Sequence, residues 1–368
     1  MKCLPSSKIP LANGTTLHDW HAEILALRSF NRYLLDECLN SLKPPFPAPQ
    51  FLDRRPEQSS LETGSQPFQL KDDVQIHMYC SEAPCGDASM ELIMDAQEDA
   101  SPWTSPAPTI FSSSSQTNCG TAISAEEDSS APFALRGRSH FGHLGAVRLK
   151  PSRPDAPPTL SKSCTDKLAL TQCTSLLSSL TSLLIAPRNA YLSSLILSQG
   201  QYVENACTRA FSRSGRMSAL TPSLEGGFSE GYAFRPFEVK PTSVEFKHSR
   251  RSVRASEKAI PCNLSAMCTP HTQESLIGGV LQGRKQLDPR GASSVCRKSM
   301  WRAALEIAGL VGVPLLVEIL RQRSYGDVKN HEVLAARNAV KHVVKTQVLK
   351  GWVKNPGDED FGLDNMAG

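Results

Sequence analysis

The chain has 368 residues, 40% of them apolar and 21% charged, with a formal charge of +4. That length allows one large domain with a real core, and so mild a charge neither demands nor excludes a nucleic-acid partner. Eleven cysteines, an odd number, follow a start (Met1-Lys2-Cys3-Leu4-Pro5) with no apolar stretch of signal-peptide type, which disfavours a disulfide framework and predicts an intracellular protein, nuclear or cytoplasmic.

Ile24, Leu25, Leu27, Phe30, Leu34, Leu35, Cys38 and Leu39 recur at helical spacing, predicting a helix from about His21 to Leu39 that stops before Lys43-Pro44-Pro45. Residues 44–66 read as a loop insertion rich in Pro and Ser. Val74 to Cys80 alternates like a half-buried strand, and after Pro84-Cys85 the segment 86–94 predicts a second helix. Residues 95–131 combine a four-serine run, Glu126-Glu127-Asp128 and several prolines. Such a composition cannot bury enough apolar surface to order itself, so it reads as a disordered insertion in a single domain spanning 1–368. Leu168 to Pro187 is the longest uncharged run, but its many Ser and Thr residues mark buried core, since a membrane span needs about 20 predominantly apolar residues. Residues 212–231 form a second polar stretch. Beyond them, Val295 to Ile319 predicts helical segments interrupted at Gly312 and Pro314, and Val328 to Val348 one further helix carrying many Lys, His and Arg residues.

His21-Ala22-Glu23 opens the first helix. An imidazole there can ligate zinc while the carboxylate two residues on stays free to move protons. Alone the pair means little, because acidic residues favour helix starts anyway. Pro84-Cys85-Gly86-Asp87-Ala88 raises its value: Cys85 stands between a strand and a helix, where the positive helix end favours a thiolate. His-x-Glu followed by Pro-Cys at such a junction is the zinc-deaminase pattern. The cytidine-type motif would place a second cysteine three residues beyond Cys85, and Ala88 stands there. A further ligand must come from elsewhere. Cys164 is the strongest candidate because, like Cys85, it precedes a helical pattern; by spacing alone Cys80, Cys119 and Cys173 compete with it.

The run from Leu17 to Phe30 resembles the first motif of the adenosine deaminases acting on RNA, and most of all their fungal tRNA-specific branch. Ser81 to Ser89 is similar to the second motif and Ser161 to Ala169 to the third. The likeness continues through Leu135 to Arg138, Arg148 to Pro151 and Arg153-Pro154-Asp155, and resumes at Gly351 to Pro356. It implies an α/β fold: a cytidine-deaminase-like three-layer core with a central mixed sheet, elaborated by a helical C-terminal region. It implies Zn2+ held by His21, Cys85 and Cys164, with Glu23 as catalytic acid and base in deaminating adenosine to inosine in tRNA, in the anticodon loop. It makes RNA the partner, with no DNA and no membrane.

The same resemblance implies a buried inositol hexakisphosphate. The matching positions are Arg28, Lys167, Arg297, Tyr325, Lys329, Trp352 and Lys354, while Leu27 stands where many relatives carry a second arginine and Ala335 where one carries a tyrosine. Lys2 matches a residue near the bound nucleotide. Family members carry about a strand and a helix ahead of that lysine, so the chain reads as N-terminally truncated. A catalytically inactive relative that binds RNA or inositol phosphate is the alternative this leaves.

Overall fold

The computed structural model describes residues 2–55, 66–96, 135–138, 140–150, 156–157, 159–249, 251–253 and 262–363. In chain order they form helix α1 (Ala22–Ser41), strands β1 (Leu52–Arg54), β2 (Phe68–Leu70) and β3 (Ile76–Cys80), helix α2 (Met90–Asp95), strands β4 (Leu135–Arg136) and β5 (Arg148–Leu149), and helices α3 (Cys164–Thr174) and α4 (Ser179–Leu184). Strands β6 (Ile185–Ala186) and β7 (Leu192–Ser198), helices α5 (Glu204–Phe211) and α6 (Pro222–Gly226), and strand β8 (Glu238–Thr242) follow. The chain then runs through β9 (Ser265–Cys268), β10 (Gln273–Ile277) and β11 (Val280–Leu281) into helices α7 (Arg297–Val311), α8 (Pro314–Leu320), α9 (Tyr325–Asn330) and α10 (Ala335–Val343).

The fold is mixed α/β, and among the described residues its strands fall into several small sheets. Among the described residues β3, β7 and β8 form a parallel sheet in that order; β1-β2-β6 is a small mixed sheet, antiparallel then parallel; β9, β10 and β11 pair antiparallel, and β4 pairs with β5. Strand β1 lies inside the segment expected to be loop. Leu52 is buried opposite Leu70, a pairing too short to show as a period in sequence. Residues 56–65, the 97–131 part of the expected insertion, Cys119 and the Arg153-Pro154-Asp155 motif lie outside the described residues.

Helix α1 buries Ile24, Leu25, Leu34, Leu35 and Cys38 and packs on α7 and α4. From α7, Trp301 fills the centre of this layer, its Nε1 donating to the Leu320 carbonyl at 2.8 Å. Helix α7 ends where expected: Gly312 adopts φ +76° as a left-handed cap, and Pro314 opens α8. The single helix expected over Val328 to Val348 is instead α9 and α10, the latter running on into a π-helical turn, Val344–Val348. His331 breaks it. Its backbone is extended and its side chain accepts the Val333 N–H, a local bond that competes with helix.

The uncharged run Leu168 to Pro187 is core, as α3, α4 and β6 are almost wholly buried. Among the described residues no helix is long and apolar enough to cross a membrane. A second apolar cluster joins the parallel sheet to α3, α5 and the π turn. It brings the end of β3, the start of α3 and the start of α1 to one place.

Candidate metal centre

Three chain segments meet there. His21 is the N-cap of α1 but makes no capping bond with its side chain, which leaves the imidazole for other work. Cys164 is the first residue of α3, whose start is fixed by Ser163: that hydroxyl accepts the Asp166 N–H at 3.1 Å. The Cys85 loop is stapled to the same turn, because Thr165 donates its N–H to the Cys85 carbonyl and its hydroxyl to the Pro84 carbonyl. Gly86 allows the approach. It has φ +114°, and a Cβ there would lie 2.2 Å from the Ser163 hydroxyl.

The result is a close trio of donors. The ligand atoms of His21, Cys85 and Cys164 all lie within 4.8 Å of one another. His21 Nδ1 is 3.8 Å from each sulfur, and the Cys164 N–H points to Cys85 Sγ at 3.3 Å. A hydrogen bond from Cys164, with Lys150 and His21 nearby, pulls Cys85 well below the ordinary thiol range, while burial and Cys85 push Cys164 up. Glu23, half-buried in the first turn of α1, is pushed up by burial and by Cys85. Two thiol sulfurs and an imidazole are the donor set that suits zinc. Of the competing cysteines, Cys80 and Cys173 are not part of this trio, and each has its thiol pushed up to about 12 chiefly by burial.

Behind the trio lies a buried polar bridge. Asp19 accepts the His21 N–H at 3.1 Å, Lys150 Nζ at 2.7 Å and the Ser161 hydroxyl at 3.1 Å, and it pairs with Lys167. Lys150 also reaches Cys164 Sγ at 3.1 Å. These cations hold Asp19 well below the usual carboxylate range despite its burial. Cys3, with Asp19 and His21, forms another grouping of possible donors, but the Asp19 carboxylate is already taken up by lysines. The sequence reading missed Asp19 and Lys150. Both stand in stretches that carry the family resemblance, and neither falls at a spacing that would single it out.

Lys167 turns from this bridge into a cavity of about 660 Å³. Of the residues expected to hold a polyphosphate, Arg28, Lys167, Arg297, Lys329, Trp352 and Lys354 line it. Tyr325 stands behind the wall, stacked on Phe361 and lying beneath Arg297 and Lys329 at 5.7 and 5.8 Å. Lys162, Lys341 and Lys345 also line the cavity and were not singled out. Lys341 and Lys345 are one helical turn apart in a basic segment, which reads as a solvated face until the fold closes over it. Lys2 is next to the metal centre: its carbonyl accepts the Trp20 N–H, one residue before His21, and its ammonium reaches the Leu264 carbonyl at 2.9 Å.

The adenosine-deaminase (editase) domain family matches residues 1–356. The tRNA-specific adenosine deaminase 1 of Schizosaccharomyces pombe is 33% identical over 364 residues, covering 98% of this chain and 82% of the relative. Its namesake in Saccharomyces cerevisiae is 35% identical over 189 residues, covering 49% of this chain and 40% of that protein. The double-stranded RNA-specific adenosine deaminase of Mus musculus is 23% identical over 366 residues, 97% of this chain but 28% of that protein.

Proposed function

The chain belongs to the adenosine-deaminase (editase) domain family, and we propose that it converts adenosine to inosine in tRNA with zinc held by His21, Cys85 and Cys164 and a proton carried by Glu23. The observation that carries this reading is the convergence of those three ligand atoms from three separate motifs, with Glu23 beside them. Zinc, when bound there, lowers the pKa of a water to about 7 and so supplies the nucleophile at neutral pH.

The chain's own groups do the rest. Glu23, in the first turn of α1 beside the trio, accepts the proton of the attacking water and delivers it to the purine ring nitrogen, then carries the proton of the newly added hydroxyl to the amino group, which leaves as ammonia. Adenosine and water thus give inosine and ammonia. Asp19 and Lys150 orient the donors from behind, as second-layer hydrogen bonds do for metal ligands generally. Lys2, bonded through its backbone to Trp20 beside the trio, is the residue assigned to the nucleotide. The adenosine must leave its stack, which is cheapest for an unpaired nucleotide, so the anticodon loop is the favoured target.

The whole chain acts as one domain in this reading, with α1, α3 and the parallel sheet as its version of the cytidine-deaminase-like core. The cation-lined cavity is the seat of inositol hexakisphosphate, gripped by Arg28, Lys167, Arg297, Lys329 and Lys354. Its fit rests on buried like charges: the neighbouring Arg297 and burial both push Arg28 down, a penalty that an anion removes. Sequencing inosine in tRNA incubated with zinc-loaded chain tests the activity. Inosine should appear at an anticodon-loop adenosine, and its absence with folded, zinc-loaded protein would sink the reading. In the same preparations Cys164→Ser should lose the metal and Cys173→Ser retain it.

A further inference from the structure

Each cysteine of the donor trio is followed two residues later by an aspartate, in Cys85-Gly86-Asp87 and in Cys164-Thr165-Asp166. Both aspartates are fully buried, and their surroundings are alike. Each carboxylate accepts from one arginine of a single stretch of chain. Asp87 accepts Arg209 Nε, on α5, at 3.0 Å; Asp166 accepts Arg216 Nη1, on the turn Arg216–Ala219 that follows α5, at 2.6 Å. Each also accepts a backbone N–H from one loop, that of Gly145 at 2.6 Å for Asp87 and that of Arg148 at 2.9 Å for Asp166. The same two segments therefore hold the chain just past both cysteines. The arginines are anchored in turn, Arg209 on Glu91 and the Asp87 carbonyl, Arg216 on the Ala210 carbonyl.

A buried ion pair is often no better for stability than apolar side chains of the same volume, so two of them beside two cysteines call for another reason. What a carboxylate supplies is a pair of oxygens that both accept, where an amide has only one. It can thus tie two separate segments to the turn that carries it. At Asp166 the tie reaches Cys164 through its neighbour: the Ser163 hydroxyl donates to the carboxylate at 2.6 Å and accepts the Asp166 N–H, which sets the first turn of α3. At Asp87 it holds the turn whose Gly86 packs against Ser163. Neither carboxylate belongs to the donor trio. We infer that Asp87 and Asp166, clasped by Arg209 and Arg216, are positioning residues that fix the separation of the Cys85 and Cys164 sulfurs and with it the affinity of the centre for its metal. This rests on the reading that zinc binds there, and it makes α5 and the turn after it, which carry no ligand, part of the frame of the centre.

The test uses the full-length zinc-loaded chain and three single variants, Asp87→Asn, Asp166→Asn and Asp36→Asn. Asp36 is the control: it too is buried and paired with an arginine, Arg32, but it lies about four turns along α1 from His21. Competition with a chromophoric chelator gives the zinc affinity of the folded chain, and circular dichroism confirms the fold. Cobalt in place of zinc reports the arrangement of the ligands by its visible spectrum. Asp87→Asn and Asp166→Asn should each bind zinc at least roughly tenfold more weakly and displace the cobalt bands, and Asp36→Asn should do neither. An aspartate with a merely structural role would lower the denaturant midpoint and leave affinity and spectrum at wild type. That result at either site overturns the inference, as does an equal loss of affinity in the control. Wild type that takes up neither metal overturns instead the reading beneath it. If an Asn variant does not fold, Arg209→Lys or Arg216→Lys, which keeps the charge but gives up the arginine fork, is measured against the same outcomes.

Discussion

The chain's two polar centres are built in opposite ways. At the metal centre, three donors come from three short motifs, and each is fixed by backbone within a few residues: the start of α1 for His21, the Gly86 turn for Cys85, the Ser163 cap for Cys164. Its charges are balanced locally, with Lys150 set against Cys164 and Asp19. The cation cavity draws side chains from α1, α3, α7, α9, α10 and the segment after the π turn, and its charge is left unbalanced. The contrast matches what each proposed partner requires. A small metal ion needs three atoms at one point, which short motifs can supply; a large polyanion needs a shell, which only a closed fold can supply.

The largest effect should separate the two. Glu23→Ala should cut turnover by at least roughly a thousandfold, since it removes the group proposed to move the protons. Zinc content, polyphosphate content and unfolding midpoint should stay at the wild-type level. Residual turnover near wild type would remove Glu23 from the chemistry. Loss of polyphosphate in this variant would mean that the centres are not built independently.

Asp19→Asn probes a link between them. The Asp19 carboxylate touches both Lys150, which faces Cys164, and Lys167, which lines the cavity. Removing its charge leaves the Lys150 ammonium buried with its carboxylate gone, a loss of about 3–5 kcal/mol for a buried pair. Denaturant unfolding should register that loss, and both zinc and polyphosphate content should fall. If only one falls, Asp19 belongs to that centre and is no bridge.

Legibility in the sequence follows the same division. His21, Glu23 and Cys85 were readable from residue types and spacing, because ligand chemistry restricts which residues can serve and short loops fix where they sit. Cys164 was not, since spacing left Cys80, Cys119 and Cys173 open and only the family resemblance chose among them. Helix α1 and the α7–α8 break at Gly312 and Pro314 were readable from periodicity and caps. Strand β1 and the His331 break were not: one is three residues long, and the other depends on a single side chain accepting its own backbone. Lys341 and Lys345 look in sequence like any solvated helix face. Nothing local reports that the segment around Trp352 will close against them, because burial of a charge is a property of the fold and not of its own helix.

The smallest effect concerns thiols outside both centres and sharpens the contrast with Cys85. Cys173, in the last turn of α3, is fully buried, and burial pushes its thiol from an ordinary 9.0 up to about 12. The unfolded chain therefore releases this proton near pH 9, while the folded chain holds it to about pH 12. Its stabilising contribution is complete below pH 9 and is lost as pH rises from there. Between pH 8 and 10 the loss from one such thiol is about 1 kcal/mol of unfolding free energy. Cys173→Ala should start below wild type at pH 8, having left a small void, and approach it by pH 10, because the variant has no thiol to ionise on unfolding. Denaturant midpoints at the two pH values measure this directly. A gap that does not narrow would mean that Cys173 ionises in the folded chain as well, and the separation drawn between a thiolate-favouring centre and a neutral-thiol core would fail at that residue.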